Sequence, residues 1–220
     1  MNCNVRGFFF YVKFGKVAVS GSYGGSCTKP LLEDATMSRL PIIDHDSASA
    51  EQQELLDAIQ QKLGMVPNFL KIFANSPAAL RAFLGLHGIA GEGELSPATR
   101  ERIALAVAQQ NACQYCVSAH TAIGRKAGLN GDEIAANRAG GSQDAKAAVA
   151  VKFANTLVEH SGSVTAAEIA ELHSAGYSDA EVVEIITHVG MNILTNFIGK
   201  ASEVEIDFPT VELSLSRGAA

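Results

Sequence analysis

From about residue 47 onward, apolar residues return every three or four positions, the rhythm of helices that bury one face. Ser47 or Ser49 is placed to cap a helix that runs to Leu63, where Gly64 stops it. Met65-Val-Pro67 breaks the pattern. A short helix over 67–74 would put Phe69, Leu70 and Phe73 on one side. Asn75-Ser76-Pro77 restarts a helix that reaches about Ala90, and Gly91-Glu-Gly93 reads as a loop. Ser96-Pro97 is a clear start, a cap hydroxyl followed by proline at the first helical position. Ile103, Ala104, Val107 and Ala108 then form an apolar stripe. Asn111 reads as a second cap, opening a helix over 112–127 that Gly128 ends.

Further helices fit 131–139, 143–160, 166–175 and 179–201, with Asn130, Ser142, Thr165 and Ser178 as caps. Outside the first 36 residues no stretch alternates as a strand would, so the expected fold class is all-α. Leu95-Ser-Pro-Ala98 and Tyr177-Ser-Asp-Ala180 open two helices in the same way. At that offset Ile103, Val107 and Ala112 match Ile185, Val189 and Leu194, which leaves room for two related helical halves. The first 36 residues differ in kind, with Phe8-Phe-Phe-Tyr-Val12 followed by a Gly/Ser patch. They read as an extension, disordered or following from a mis-assigned start, ahead of one helical domain over 37–220.

Bulk properties narrow the function classes. A formal charge of -6 disfavours nucleic-acid binding, which needs clustered Lys and Arg. No run of 18 apolar residues occurs, so no membrane segment is expected. The apolar stretch near the start is short and interrupted by Lys13, unlike a secretory signal, and a cytoplasmic protein is expected. Four cysteines in 220 residues do not make a disulfide scaffold. No glycine-rich phosphate loop is present, and no cofactor is expected.

Two of the cysteines change the picture. Cys113, Cys116 and His120 share one helical face, so two thiols can meet with an imidazole one turn beyond. With Asn111 as cap, Cys113 would lie in the first turn, where free N–H groups and the helix dipole favour a thiolate. His120 could take a proton from Cys116. On one continuous helix Glu101 would lie about 22 Å from Cys116 at 1.5 Å per residue. If the chain turns back near Gln110-Asn111, Glu101 and His120 come to the same depth, and a carboxylate beside an imidazole fixes its tautomer. Other readings stay open: half of a zinc site, an inert buried pair, and for Glu101 a solvated first-turn acid.

Taken together, Glu101, a cysteine twelve residues later, a second after three and a histidine after four more resemble the carboxymuconolactone decarboxylase superfamily. Within it the resemblance is to the alkyl hydroperoxidase D (AhpD)-like, peroxidase-related branch. The flanks Leu95-Ser-Pro-Ala-Thr-Arg-Glu101 and Gly128-Leu-Asn-Gly-Asp-Glu-Ile134 agree, as does the stretch from Ile193 to Pro209. The resemblance covers roughly residues 40–210. It implies an AhpD-like helical domain assembled as trimers or hexamers, and reduction of hydroperoxides without haem or metal. It also implies that Cys116 attacks the peroxide, Cys113 resolves the sulfenic acid into a disulfide, and a thiol reductant protein resets the pair. Glu101 and His120 would form the proton relay. Some members carry histidine just before the second cysteine, where this chain has Tyr115. The other function classes are a disulfide oxidoreductase or redox sensor whose natural oxidant is not peroxide, and a non-catalytic helical oligomer.

Elsewhere, His188, Asn192 and Asn196 make a polar stripe on the last long helix, read as a hydrogen-bonded core or interface stripe. His87, His160 and His173 read as isolated and ordinary. Phe69, Phe73 and Phe83 read as core or pocket wall.

Overall fold

Local capping explains most of the helices in the computed structural model, which describes residues 38–213. Helix α1 (Ala50–Leu63) opens on a capping box between Ser49 and Gln52. Helix α2 (Asn68–Phe73) follows Pro67, and α3 (Pro77–Ala90) and α4 (Pro97–Gln110) begin with a serine cap and proline in the first turn. Helix α5 (Gln114–Lys126) carries the cysteines, and α6 (Gly131–Arg138) is capped by Asn130. Helix α7 (Ala145–Glu159) leads to α8 (Ala166–Ser174) and α9 (Asp179–Ser202), the last two each with a capping box. Among the described residues there is no strand. The all-α class is what the structure shows. The expected extension over 1–36 lies outside the described residues.

Helix α4 is the hub. Its residues Ile103 to Ala108 are all buried, because α5, α6, α7 and α9 pack around it. A helix covered on every side no longer needs a polar face. Each large side chain buried there contributes about 1.5–3 kcal/mol. On one side, Leu95, Ile103 and Val107 meet Phe153, Leu157, Leu172, Ile185 and Val189 from α7, α8 and α9. Two of the three echoing pairs, Ile103 with Ile185 and Val107 with Val189, therefore share one apolar cluster, while Leu194 is exposed. A second cluster joins α1, α2, α3 and α5 to Met191 of α9 and to residues 204–213, and it contains Cys113 and Cys116.

Two expectations for helix starts need correction. Asp144, not Ser142, caps α7 by accepting from the Ala147 N–H, since the Ser142 hydroxyl donates to Glu133. The second concerns Asn111 and is part of the candidate site. Helix α9 is long and apolar enough to cross a membrane by length and composition alone, and half of its most apolar window is buried in this fold.

Candidate redox site on helices α4 and α5

The site begins where α4 stops. Asn111 is the last turn of α4 rather than the cap of α5, because its side-chain N–H donates to Asn196 Oδ1 of α9 at 2.8 Å. Ala112 then takes a left-handed conformation, φ 51°, sparsely populated for a residue with a side chain. The Cys113 N–H reaches back to the Ala108 carbonyl at 3.0 Å, and Cys113 itself becomes the cap of α5. Its Sγ accepts from the Cys116 N–H at 3.4 Å. The structure thus corrects the start of the helix from 112 to 114. It also moves Cys113 from the first turn to the position whose sulfur faces the free N–H groups.

Cys113 and Cys116 are joined in a disulfide with Cα atoms 5.3 Å apart. Both are buried, at 1% and 4% exposure. A Cβ on Gly199 of α9 would lie 3.2 Å from Cys113 Sγ and 3.7 Å from Cys116 Sγ, so that helix crosses directly over the pair.

From the cysteines, α5 folds back along α4. Gly124 faces α4 at ordinary contact distance, a Cβ there lying 3.8 Å from Glu101 Cβ, and its tight neighbour is Leu129 at 3.2 Å. One turn before Gly124, His120 Nδ1 lies 2.8 Å from Glu101 Oε2. Both side chains are mostly covered, at 21% and 16% exposure. A carboxylate only accepts, so Nδ1 carries the proton and Nε2 is the nitrogen left to accept one. Cys116 precedes His120 by one turn on the same face.

Tyr115 does not join this arrangement. Its hydroxyl donates to Asp207 Oδ1 at 2.8 Å and accepts from the Phe69 N–H at 3.2 Å. Burial, with the Asp207 carboxylate second, pushes the phenol well above its ordinary range. Asp207 also accepts from the Asn68 N–H, and farther along the same segment the Val211 N–H donates to Ser118 of α5. The residue before the second cysteine therefore ties α5 to α2 and to the chain after α9.

The polar stripe of α9 serves two purposes. His188 and Asn192 are buried; His188 Nε2 meets the Ala90 carbonyl at 3.3 Å and the Asn192 amide donates to the His188 carbonyl. Asn196 holds Asn111 at the site. Among the described residues, no group of three or more His, Cys, Asp or Glu side chains is arranged to hold a metal ion.

Residues 77–159, from α3 through α7, match the Carboxymuconolactone decarboxylase family. A peroxidase-related protein from Silicibacter sp. TM1040, itself uncharacterized, has a similar structure with 28% identity and a TM-score of 0.70, covering 80% of this chain and 94% of that one. The stretch from α3 through α7 is thus similar to the carboxymuconolactone decarboxylase family. A second similar structure is that of an alkylhydroperoxidase AhpD core, an uncharacterized peroxidase-related protein from Ralstonia eutropha JMP134. It shows 26% identity and a TM-score of 0.69, covering 77% of this chain and 92% of that one. The debrominase Bmp8, solved with 2,3,4-tribromopyrrole, is 18% identical with a TM-score of 0.61 and coverage of 79% and 93%; at that identity the likeness is one of fold. No curated protein sequence matches the chain.

The structure pairs the four residues singled out in the sequence: Glu101 with His120, and Cys113 with Cys116. One further residue of the site gave no such signal. Gly199 acts through a close approach to Cys113 and Cys116, partners elsewhere in the chain. His87 is exposed on α3. Burial lowers its basicity first, and the charge of His120 lowers it next, although part of its surface is open to solvent. Its ring centroid lies 5.7 Å from that of Phe83, which stacks on Phe73 beside Phe69.

Proposed function

We propose that the chain is a thiol-dependent peroxidase that reduces hydroperoxides through the pair Cys113 and Cys116. The observation that carries this reading is the 2.8 Å contact between His120 Nδ1 and Glu101, one helical turn beyond Cys116. In the reduced protein, His120 Nε2 takes the Cys116 proton while Glu101 stabilises the imidazolium. The Cys116 thiolate attacks the distal peroxide oxygen, the O–O bond breaks, and His120 returns the proton to the departing alkoxide. The products are an alcohol, or water from hydrogen peroxide, and a sulfenic acid on Cys116. Cys113, whose sulfur faces the N-terminal N–H groups of α5, is the thiolate that displaces hydroxide from that sulfenic acid and forms the disulfide. A dithiol reductant protein then supplies two electrons and two protons and restores both thiols.

Exposed Val183, Ile186, Leu194 and Phe197 lie along one side of α9, and Leu86 and Ile89 are exposed on α3. Apolar residues left in rows of this kind support assembly as a homo-oligomer. One observation favours a second reading. Cys113 as a helix cap has the surroundings of a dithiol–disulfide exchanger, which would make a protein disulfide the natural oxidant.

The test is consumption of an organic hydroperoxide with a dithiol as reductant, followed beside reduction of a protein disulfide. Peroxide turnover is expected for the native chain, and none above background for Cys116→Ser or Cys113→Ser. Full turnover in Cys116→Ser contradicts the proposal, and disulfide exchange without peroxide turnover favours the second reading.

A further inference from the structure

The turn that presents Cys113 is held from a distance. Lys200 of α9 donates to the Asn111 carbonyl at 2.7 Å, and Asn196, one turn earlier, accepts from the Asn111 side chain. Between them on the same face, Gly199 lies against both sulfurs. The left-handed Ala112 sits between Asn111 and Cys113, so Asn196 and Lys200 fix a backbone conformation that the sequence alone would rarely adopt. A side chain at 199 would place its Cβ 3.2 Å from Cys113 Sγ, which requires the sulfur to give way by a few tenths of an ångström. In the disulfide that sulfur is tied to Cys116 and cannot turn. In the dithiol, rotation about the Cα–Cβ bond carries it elsewhere.

We propose that Asn196, Gly199 and Lys200 form a positioning template on α9 that sets the balance between the disulfide and dithiol forms of Cys113 and Cys116. Gly199 leaves the space that the joined sulfurs occupy. Asn196 and Lys200 keep the Asn111–Ala112 turn in the conformation that brings Cys113 to its partner. These are positioning residues, and their effect is read in a redox equilibrium rather than in helix content. The proposal shares the redox-active pair with the peroxidase reading but does not need peroxide as the oxidant.

Gly190 is the control. It lies on the same helix, and a Cβ there meets nothing within 4 Å. The experiment equilibrates the full-length protein with mixtures of reduced and oxidised dithiothreitol and counts free thiols at Cys113 and Cys116. In that exchange the protein S–S bond breaks, and dithiothreitol gives up two electrons and two protons as it closes its own disulfide. Gly199→Ala is expected to shift the equilibrium about tenfold toward the dithiol, equivalent to about 30 mV. Gly190→Ala is expected to leave it unchanged. Asn196→Ala and Lys200→Met are expected to shift it severalfold in the same direction, and they carry the test if Gly199→Ala does not fold. An equilibrium unmoved by these substitutions overturns the proposal, and so does an equal shift in Gly190→Ala. Because no peroxide is used, failed peroxide turnover with the predicted shift rejects only the peroxidase reading.

Discussion

Glu101 of the hub helix and Glu133, which reaches that helix from α6, are two covered carboxylates, and they are treated very differently. Glu133 of α6 is reached by Arg102 of α4, the residue next to Glu101, at 2.6 Å. It also accepts from Asn137, from the Ser142 hydroxyl and from the Gln143 N–H. Burial would raise its pKa, but those four donors outweigh burial and hold it at about 2. Glu101 shows one such partner, the ring of His120. A carboxylate whose lone pairs are filled by fixed donors is locked in one charge state and serves the fold. A carboxylate whose partner can itself gain and lose a proton is suited to proton traffic. The difference between the two is what separates architecture from candidate chemistry in this molecule.

The largest expected effect falls on the first of them. Glu101→Gln keeps the shape but removes the charge that supports an imidazolium, and peroxide turnover is expected to fall roughly 10²–10⁴-fold with the melting temperature nearly unchanged. Glu133→Gln should do the reverse. Breaking a covered ion pair costs about 3–5 kcal/mol, so denaturant unfolding should show that loss while turnover of the protein that remains folded stays near native. If both substitutions affect the same property to the same extent, the contrast fails.

The acid limb of stability sharpens it further. Glu133 drops from its ordinary 4.5 to about 2 on folding, so between those values the unfolded chain binds the extra proton. Its contribution, about 3 kcal/mol at 1.36 kcal/mol per pKa unit, is complete above pH 4.5 and is lost as pH falls toward 2. Urea titrations across that window should show the decline in the native chain and a shallower one in Glu133→Gln. Buried His188 adds in the same direction at higher pH. Burial lowers its pKa below 6.5, so the unfolded chain gains a proton first as pH drops.

The smallest effect concerns the residue beside the second cysteine. Tyr115→Phe removes a buried hydroxyl that joins Asp207 to the Phe69 N–H, leaving polar groups short of a partner at about 1–3 kcal/mol. It should loosen the segment after α9, seen as faster hydrogen exchange at Asp207, with peroxide turnover changed less than twofold to threefold. A loss as large as that of Glu101→Gln would put Tyr115 in the relay and undo its assignment as a tether.

Much of this was legible along the chain because it is local. Ser49, Ser76, Ser96, Asn130, Thr165 and Ser178 each cap a helix with a side chain that accepts from an N–H three residues on, a signal contained in four residues. The Glu101–His120 contact was legible as a count of residues on either side of a turn. What was not legible depends on distant partners. Asn111 looks like a cap, but Asn196 claims its side chain from 85 residues away. Ser142 looks like a cap, but Glu133 takes its hydroxyl. The left-handed residue is Ala112, not a glycine or asparagine, so nothing in its identity announces the turn. Gly199 is indistinguishable in sequence from Gly190, and only packing shows that one faces two sulfurs and the other open space.

The proposed peroxidase chemistry stands on Glu101, acting through His120, activating Cys116. The most direct measurement uses Cys113→Ser protein, in which oxidation stops at the sulfenic acid. That protein is mixed with one equivalent of an organic hydroperoxide in a rapid-mixing instrument, and the sulfenic acid is trapped and located by mass spectrometry. The account predicts a single trapped sulfenic acid on Cys116, formed at least 10²-fold more slowly when Glu101→Gln is added. Oxidation of Cys116 at the same rate with and without Glu101 would contradict it.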